Sequence, residues 1–501
     1  MSLVSYSAAW PSTLDRESRG HLLRSDRQED LCFGLWYPSR GTSRTTALLH
    51  KVLLPRAGER LVHGNASFLP SYFERAIGEA IDAGAGLAFM HSHGGPGWQG
   101  MSDDDVAAEL NHAAATFAAT GLPLVGLTLG TDGAWSARFW ERVGPRRYER
   151  RWCMSVRVVG DRLATTFHPR LAPVPQFGDE LSRTVSAWGE AVQRDIGRLH
   201  VGVIGAGSVG SIVAESLART GVGRITLLDF DSLELVNLDR QLHATRRDAR
   251  KRRSKVRVLA EGIRRGATAK PFCVSPFEYS VVEEEGYRAA LDCDVLFSCV
   301  DRPWPRSVLN FIAYAHLIPV VDGGVRVEVT ERGHLKRADW RAHVAGPTNR
   351  CLECLGQYDP GLVGVERNGL LDTPSYIAGL PADHAIKRNE NVFAFSLGAA
   401  SLEVLQLLTM VVRPLGLGGA GQQNYHFVPG LLDSDHEACK TTCLYPGLTA
   451  RGDSTGLVPT AAHSAAEEAR ARRAEALARE PWRPRLAGVL ESVAGWLREL
   501  R

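Results

Sequence analysis

The sequence predicts an α/β protein built from two unlike α/β regions in series with a helical end. Three observations carry this. Strand-like apolar runs alternate with amphipathic helical runs along most of the 501 residues. His200-Val201-Gly202-Val203-Ile204 leads straight into Gly205-Ala206-Gly207-Ser208-Val209-Gly210, a buried strand feeding a glycine turn and a helix. Far upstream, Leu87-Ala88-Phe89-Met90 reads as another buried strand and ends in His91-Ser92-His93.

The elements run in order along the chain. Residues 1–160 alternate strands (Ala47–Leu54, Leu122–Leu129, Ser155–Val159) with helices at Tyr72–Ala83 and Asp103–Ala119. The stretch 161–178, with Pro169, Pro173 and Pro175, reads as a linker. A helix over Asp179–Leu199 opens an α/β unit expected to run to 449, and 450–501 is rich in Ala, Arg and Glu and reads as a helical tail. Within that tail, Leu486, Val489, Leu490, Val493, Trp496, Leu497 and Leu500 recur at helical spacing, as expected of a packed or docking helix.

Composition excludes several classes. The net charge is +3, so bulk electrostatics point to neither nucleic acid nor membrane partners. The basic run Arg246–Lys255 carries no interleaved aromatics, as a nucleic-acid groove would, and reads as a solvated loop and helix start. The apolar segment Asn391–Val412 is interrupted by Glu403 and Gln406 and reads as a buried helix. Met1–Gly20 lacks the apolar core of a secretory signal, and with nine cysteines this predicts reduced thiols, metal ligation and a cytoplasmic location.

His91 and His93, two apart on one strand, face the same side. Ser102 reads as the N-cap of a helix opening with Asp103-Asp104-Asp105, so a first-turn carboxylate reaches the same point. Two histidines, one aspartate and an open position suit a catalytic zinc.

The His91-x-His93…Ser102-x-x-Asp105 pattern resembles the JAMM (JAB/MPN) zinc isopeptidases over roughly residues 20–160. The resemblance implies cleavage of ubiquitin-like proteins, with Glu29 as general base and Ser102 as oxyanion donor. Glu29 lies farther from His91 than the family pattern expects, and Asp30 sits beside it. Eight residues separate His93 from Ser102 where the family has seven, which leaves Asp104 as an alternative ligand to Asp105. Gly94-Gly95-Pro96-Gly97 gives the loop room for the extra residue.

In the second region, a lone Gly-x-Gly-x-x-Gly says only that phosphate can approach amides at a helix N-terminus. The strand Arg224–Leu228 ends in Asp229, placed to take ribose hydroxyls. The string from Asp229-Phe230-Asp231 through Asn237-Leu238-Asp239-Arg240-Gln241 resembles the ATP-binding core of ThiF-like ubiquitin-activating adenylyltransferases, and the resemblance extends over most of 179–445. It implies Asn237, Arg240, Gln241 and Lys255 around the phosphates. It also implies Asp301 linked to magnesium, and Arg183 lent across a homodimer interface.

Cys351-x-x-Cys354 and Cys439-x3-Cys443 have the spacing of a closed four-thiolate zinc site, one residue longer in the second pair than in relatives of that family. Leu355–Ala438, where thioester-forming relatives carry a cysteine, has none. The acyl group therefore passes to a partner's nucleophile, stays as the adenylate, or moves to a hydroxyl such as Thr373 or Ser375, for which His384 is the one nearby base. Cys32, Cys153, Cys273, Cys293 and Cys299 sit in apolar contexts and read as buried, inert thiols.

The expected fold is thus an α/β JAMM-type zinc hydrolase domain, a Rossmann-like ThiF-type domain with a structural zinc, and a helical tail. The expected function is bifunctional: zinc-dependent processing or deconjugation of a ubiquitin-like modifier, and Mg-ATP-dependent adenylation of its C-terminus, with a conjugating-like partner downstream. A sulfur-carrier role in cofactor or cysteine synthesis and a partly non-catalytic scaffold stay open. The identity of the modifier stays open too.

Overall fold

Two mixed sheets, each built around one strand that ends in a polar loop, organise the chain. The computed structural model describes residues 4–63, 65–379, 390–417 and 419–478. The region 486–500 and His384 lie outside these residues.

The first sheet comes from β1 (Ser5–Pro11), β2 (Leu31–Arg40), β3 (Arg44–Leu53), β6 (Gly86–Ser92), β7 (Leu124–Leu129), β8 (Trp135–Gly144), β9 (Arg147–Trp152), β10 (Ser155–Val159) and β11 (Leu163–Phe167). Their order is β11-β10-β1-β3-β2-β6-β7-β8-β9, and a hairpin of β4 (Arg60–His63) and β5 (Asn65–Phe68) stands apart. The helices α1 (Ser12–Leu22), α2 (Pro70–Ala83) and α3 (Asp103–Thr120) belong to this unit. β6 is buried along its whole length, between antiparallel β2 and parallel β7. A strand covered on both faces reads as a continuous apolar run, which is why Leu87–Met90 stands out in the sequence.

This unit runs past the expected boundary at 160, because β11 pairs with β10 from Leu163 to Phe167. Only the remainder of the Pro-rich stretch is connector, ending in the short β12 (Gln176–Phe177). The single helix expected over Asp179–Leu199 is two, α4 (Ser182–Trp188) and α5 (Glu190–Arg198). Gly189 between them takes φ +87°, a conformation that breaks the helical path and that glycine adopts at little cost.

The second sheet has the order β16-β14-β13-β17-β18-β19-β20-β21. It is assembled from β13 (His200–Ile204), α6 (Ser208–Arg219), β14 (Arg224–Leu228), α7 (Arg246–Arg250), α8 (Lys255–Gly266), β15 (Ala269–Lys270, paired to β12) and β16 (Cys273–Phe277). It continues with α9 (Glu284–Leu291), β17 (Val295–Ser298), α10 (Pro303–Ala315), β18 (Val320–Val329) and β19 (Leu335–Ala345). Then come α11 (Pro360–Arg367), α12 (Pro374–Gly379), α13 (Phe393–Val412), β20 (Gln422–His426), β21 (Leu431–Asp435) and α14 (Ser464–Ala478). The strands from β16 to β18 are parallel. Chain order reverses at β13, whose neighbours are β14 on one side and β17 on the other, and the crevice beyond the carboxyl ends at such a switch point is where ligands bind.

The apolar α13 is the one helix among the described residues long and apolar enough to cross a membrane. It packs instead on α6, β18 and β19, with Glu403 and Gln406 buried. The two sheets share a junction. Asp294 accepts from Arg44 at 2.6 Å and Arg157 at 2.8 Å, with all three buried. Alongside, Ser39 Oγ and Tyr287 Oη bracket the His316 ring at 2.7 and 2.6 Å. The C-terminal segment is also no free tail: Arg451 lies over Tyr37, and Asp453 pairs with Arg40 and Arg288.

Candidate functional site

A cavity of about 1160 Å³ opens at the switch point of the second sheet and gathers Gly205, Gly207, Asp229, Asn237, Arg240, Gln241, Lys255 and Asp301. The three glycines divide the work. Gly205 has φ +94°, and a Cβ there would come within 2.5 Å of the Cys299 carbonyl oxygen. A Cβ on Gly210 would meet the Gly205 carbonyl at 1.9 Å, so helix α6 can sit this close only without one. At Gly207 a Cβ would meet nothing within 4 Å. That open space lies in front of the first turn of α6, whose free amides and dipole favour a phosphate.

The carboxylates and cations are fixed around this cradle. Asp229, at the end of β14, accepts the Ala206 amide (2.8 Å) on one oxygen and the Asp231 amide (2.7 Å) on the other. Burial pushes its carboxyl up, against the opposing charge of Lys255. Burial would lower the Lys255 ammonium, but Asp229 and Asp231 outweigh it and hold the group charged, with Asp231 at 2.8 Å. Gln241 donates to the Ala206 carbonyl at 2.7 Å and so ties the later loop to the glycine turn. Asn237 caps its own turn by accepting the Glu234 amide, and Arg240 rests on Asp239 and the Val236 carbonyl, both exchangeable partners. Arg183 is exposed on α4 and does not line this cavity within the chain.

The second constellation lies at the end of β6. The reactive atoms form a triangle: His91 Nε2 to His93 Nε2 is 3.1 Å, His91 Nε2 to Asp105 Oδ1 3.4 Å, and His93 Nε2 to Asp105 Oδ2 3.2 Å. Ligands at about 2.0–2.1 Å from a tetrahedral zinc are separated by roughly 3.3 Å, so this triangle has the size of one tetrahedral face. Asp105 is the carboxylate brought in, while Asp104 is exposed. Ser102 forms a reciprocal capping box with Asp105, its Oγ accepting the Asp105 amide at 3.1 Å and its amide donating to Asp105 Oδ2 at 2.8 Å. Burial first, and then the nearby Arg138, push the His91 imidazole down to about 3, which favours the neutral form that a metal requires. Its Nδ1 is buried with no hydrogen-bond partner, which departs from the usual second hydrogen bond of a ligand histidine.

Glu29 is half-buried and its carboxyl is raised, by burial first, opposed by His93 and reinforced by Asp105. Asp30 is spent elsewhere: it is 1% exposed, within 3.2–3.5 Å of Arg60, Arg24 and His21.

Cys351, Cys354, Cys439 and Cys443 also converge, with their sulfurs all within 4.8 Å of one another. Cys351 and Cys443 sulfurs are 3.6 Å apart, against about 3.8 Å for the edge of a tetrahedron with 2.3 Å Zn–S bonds. The Cys351 amide donates to Cys439 Sγ at 3.1 Å, and the Cys354 amide to Cys351 Sγ at 3.3 Å, which favours thiolates.

Comparison with known proteins bears on the second sheet. The ThiF family model matches residues 181–409. The Escherichia coli molybdopterin-synthase adenylyltransferase is 31% identical over 187 residues, 37% of this chain and 70% of that protein. The chain belongs to the ThiF family. Another Escherichia coli protein, the tRNA threonylcarbamoyladenosine dehydratase, is 33% identical over 149 residues, 28% of this chain and 52% of its own length. The adenylyltransferase and sulfurtransferase UBA4 of Yarrowia lipolytica is 28% identical over 185 residues, 36% of this chain and 44% of its own length. The chain thus spans about half the length of these two relatives. The ThiF match begins at residue 181, downstream of the whole first sheet and its histidines.

Two of the five thiols expected to be buried are not. Cys273 is exposed at the start of edge strand β16, and Cys299 is partly open and lines the ThiF cavity. Cys299 donates to Glu403 Oε2 at 3.4 Å, and burial raises both groups well above their usual values. Thr373 and Ser375 lie at the start of α12, with the Thr373 hydroxyl already donating to the Gly369 carbonyl at 3.2 Å. Sequence reasoning missed Arg306, Glu366, Tyr279 and His463, all on the cavity wall. None sits in a motif, and they come from separate elements: the loop after β16, α10, α11 and the segment ahead of α14.

Proposed function

We propose that this ThiF-family chain adenylates the C-terminus of a ubiquitin-like or sulfur-carrier protein, and that its N-terminal unit is a JAMM-type zinc peptidase acting on the same class of protein. The observation that carries the first part is the single cavity in which the open Gly207 cradle faces Arg240, Lys255 and Asp301. In adenylation a carboxylate oxygen forms a bond to the α-phosphorus of ATP while the bond to the pyrophosphate oxygen breaks. Arg240 and Lys255 would offset the charge on the phosphoryl oxygens, and Asn237 and Gln241 would fix the loop around them. Asp229 would take the ribose hydroxyls. Asp301 would hold magnesium, which when bound draws charge from the departing pyrophosphate. Arg183 would enter from the other subunit of a homodimer.

The triangle of His91, His93 and Asp105 supports the second part. Zinc, when bound, supplies a water acidic enough to attack a carbonyl. Glu29, its carboxyl raised by burial, would take the proton from that water, and the Ser102 hydroxyl would donate to the developing oxyanion. The four cysteines would hold a second, structural zinc. A sulfur-carrier substrate is the second reading, favoured by the sulfurtransferase activity for which the UBA4 relative is named. It differs in requiring a sulfur donor after adenylation.

The test is exchange of labelled pyrophosphate into ATP, expected only when a ubiquitin-like or sulfur-carrier protein with a free C-terminus is added. Arg240→Ala and Asp301→Ala should each slow exchange by about 100-fold or more, the scale of losing one preorganised charge at a transition state. Binding of NAD without ATP would overturn the reading.

A further inference from the structure

The ThiF cavity has a wall that no nucleotide motif supplies. On α14, Ala465, Ala469 and Arg472 line the cavity, spaced four and three apart and so forming one stripe of the helix. The adjacent stripe fastens the helix down. Ala466 is fully buried, and Arg470 grips Glu283 through both guanidinium nitrogens at 2.9 and 2.5 Å. Arg473 pairs with Glu278 at 2.7 Å and donates to the Phe230 carbonyl at 2.6 Å and Ser232 Oγ at 3.2 Å. Phe230 directly follows Asp229, so the helix is anchored beside the carboxylate that closes strand β14. Just ahead of the helix His463 is 7% exposed, edge-on to Phe230 at 5.0 Å and Trp304 at 5.6 Å, and it too lines the cavity. Its Nδ1 is buried without a hydrogen-bond partner. A buried polar atom without a partner is costly and calls for a ligand or a water.

We propose that α14 and His463 form the purine–ribose wall of the nucleotide site, making the C-terminal segment part of the binding machinery. Ala465 and Ala469 leave room for the nucleoside, His463 stands on the same wall, and Arg472 is free to turn inward. Its present partner is Glu468 at 3.2 Å on the same exposed helix face, and an exposed pair of this kind is weak. The inference rests on the Mg-ATP reading of the cavity.

The experiment uses the full chain with Mg-ATP and with magnesium tripolyphosphate, read by calorimetry and by amide hydrogen exchange. Ala469→Trp should weaken Mg-ATP binding at least tenfold while leaving tripolyphosphate binding unchanged. Ala471→Trp, two residues on at an exposed position, should leave both within twofold. In the unmodified chain, amides of 464–478 should gain protection when Mg-ATP binds and not when tripolyphosphate does. ATP binding by Ala469→Trp equal to that of the unmodified chain, or α14 amides indifferent to ATP, overturns the proposal. Failure of the unmodified chain to bind ATP overturns the reading beneath it as well.

Discussion

Asp105 and Glu109 lie one turn apart on the same face of α3, the first reaching the histidines and the second the sheet beneath them. Glu109 accepts from Arg138 Nε at 2.9 Å and from Trp140 Nε1 at 2.6 Å, and also meets a second Arg138 nitrogen. Arg138 in turn donates to Thr128 Oγ1 at 2.6 Å, which lies 3.4 Å from His91 Nε2. Gly126 makes room for this, since a Cβ there would come within 2.3 Å of Glu109 Oε2. One buried ion pair therefore sets both the pitch of α3 and the surroundings of His91.

Replacing Glu109 by Ala should leave Arg138 charged, buried and unpaired, at a cost of about 3–5 kcal/mol. Glu109→Gln keeps the shape and half the hydrogen bonding and should fold. In that variant zinc affinity at the histidine site should fall, because α3 carries Asp105 one turn from the loosened Glu109–Arg138 contact. The check is zinc titration against a chelator; unchanged affinity would remove Glu109 from any positioning role.

The zinc count itself is the second prediction. The purified chain should carry two zinc ions per subunit, and His91→Ala with His93→Ala should leave one. That double substitution should abolish peptidase activity and spare pyrophosphate exchange. Zinc content unaffected by the double substitution would sink the assignment of the triangle.

The third concerns the junction of the two sheets. The buried Asp294 carboxyl is held down to about 2: burial opposes this, and Arg44 and Arg157 outweigh it. Its folded value lies below the ordinary one of 3.8, so its stabilising contribution is present above that value and is lost as pH falls toward about 2. Asp294→Asn strands two buried guanidinium groups and should destabilise the chain by about 3–5 kcal/mol at pH 7. The loss should shrink in acid denaturation experiments begun from pH 4 and below.

How much of this was legible in the sequence depends on what each residue's neighbours are. β6, β13 and β14 announced themselves because buried parallel strands are apolar throughout, and the glycine turn because Gly205 and Gly210 admit no Cβ. Ser102 and Asp105 were legible because a capping box is local in sequence. The junction was not: Arg44, Arg157 and Asp294 are more than a hundred residues apart at their widest, and nothing local marks a buried arginine. Nor was the break at Gly189, since a lone glycine inside a helical pattern is often tolerated. The C-terminal segment read as a tail because its anchors, Glu278, Glu283 and Phe230, belong to another part of the chain.

Glu403 supplies a pH-dependent prediction. It is fully buried on α13, faced by Cys299, Asp322, Arg306 and Arg341, and burial raises its carboxyl well above 4.5. A folded value above the unfolded one means the folded chain holds the proton longer, so stability falls as pH rises above about 4.5. Glu403→Gln removes that term. Its stability relative to the unmodified chain should therefore climb between pH 5 and pH 8, by at most about 1.4 kcal/mol per unit. Parallel urea titrations at the two pH values give the answer, and an equal difference at both would mean that the carboxyl is ionised in the fold.

The last prediction concerns Cys299. Leu355–Ala438 carries no cysteine, so the thiol on the wall of the ThiF cavity is the one placed near an adenylate. Burial and the adjacent Glu403 hold it protonated, and a thiol rather than a thiolate is a poor nucleophile. Incubation with Mg-ATP and a ubiquitin-like protein should therefore give no adduct that dithiothreitol cleaves, and Cys299→Ser should retain pyrophosphate exchange. Intact-mass analysis in mild acid, with and without dithiothreitol, decides it. A thiol-sensitive adduct lost in Cys299→Ser would show that the cavity lowers the thiol once substrate enters, and would move the acyl acceptor into the chain itself. An adduct resistant to thiol but cleaved by hydroxylamine would direct attention to Thr373 and Ser375, whose hydroxyls stand at the start of α12.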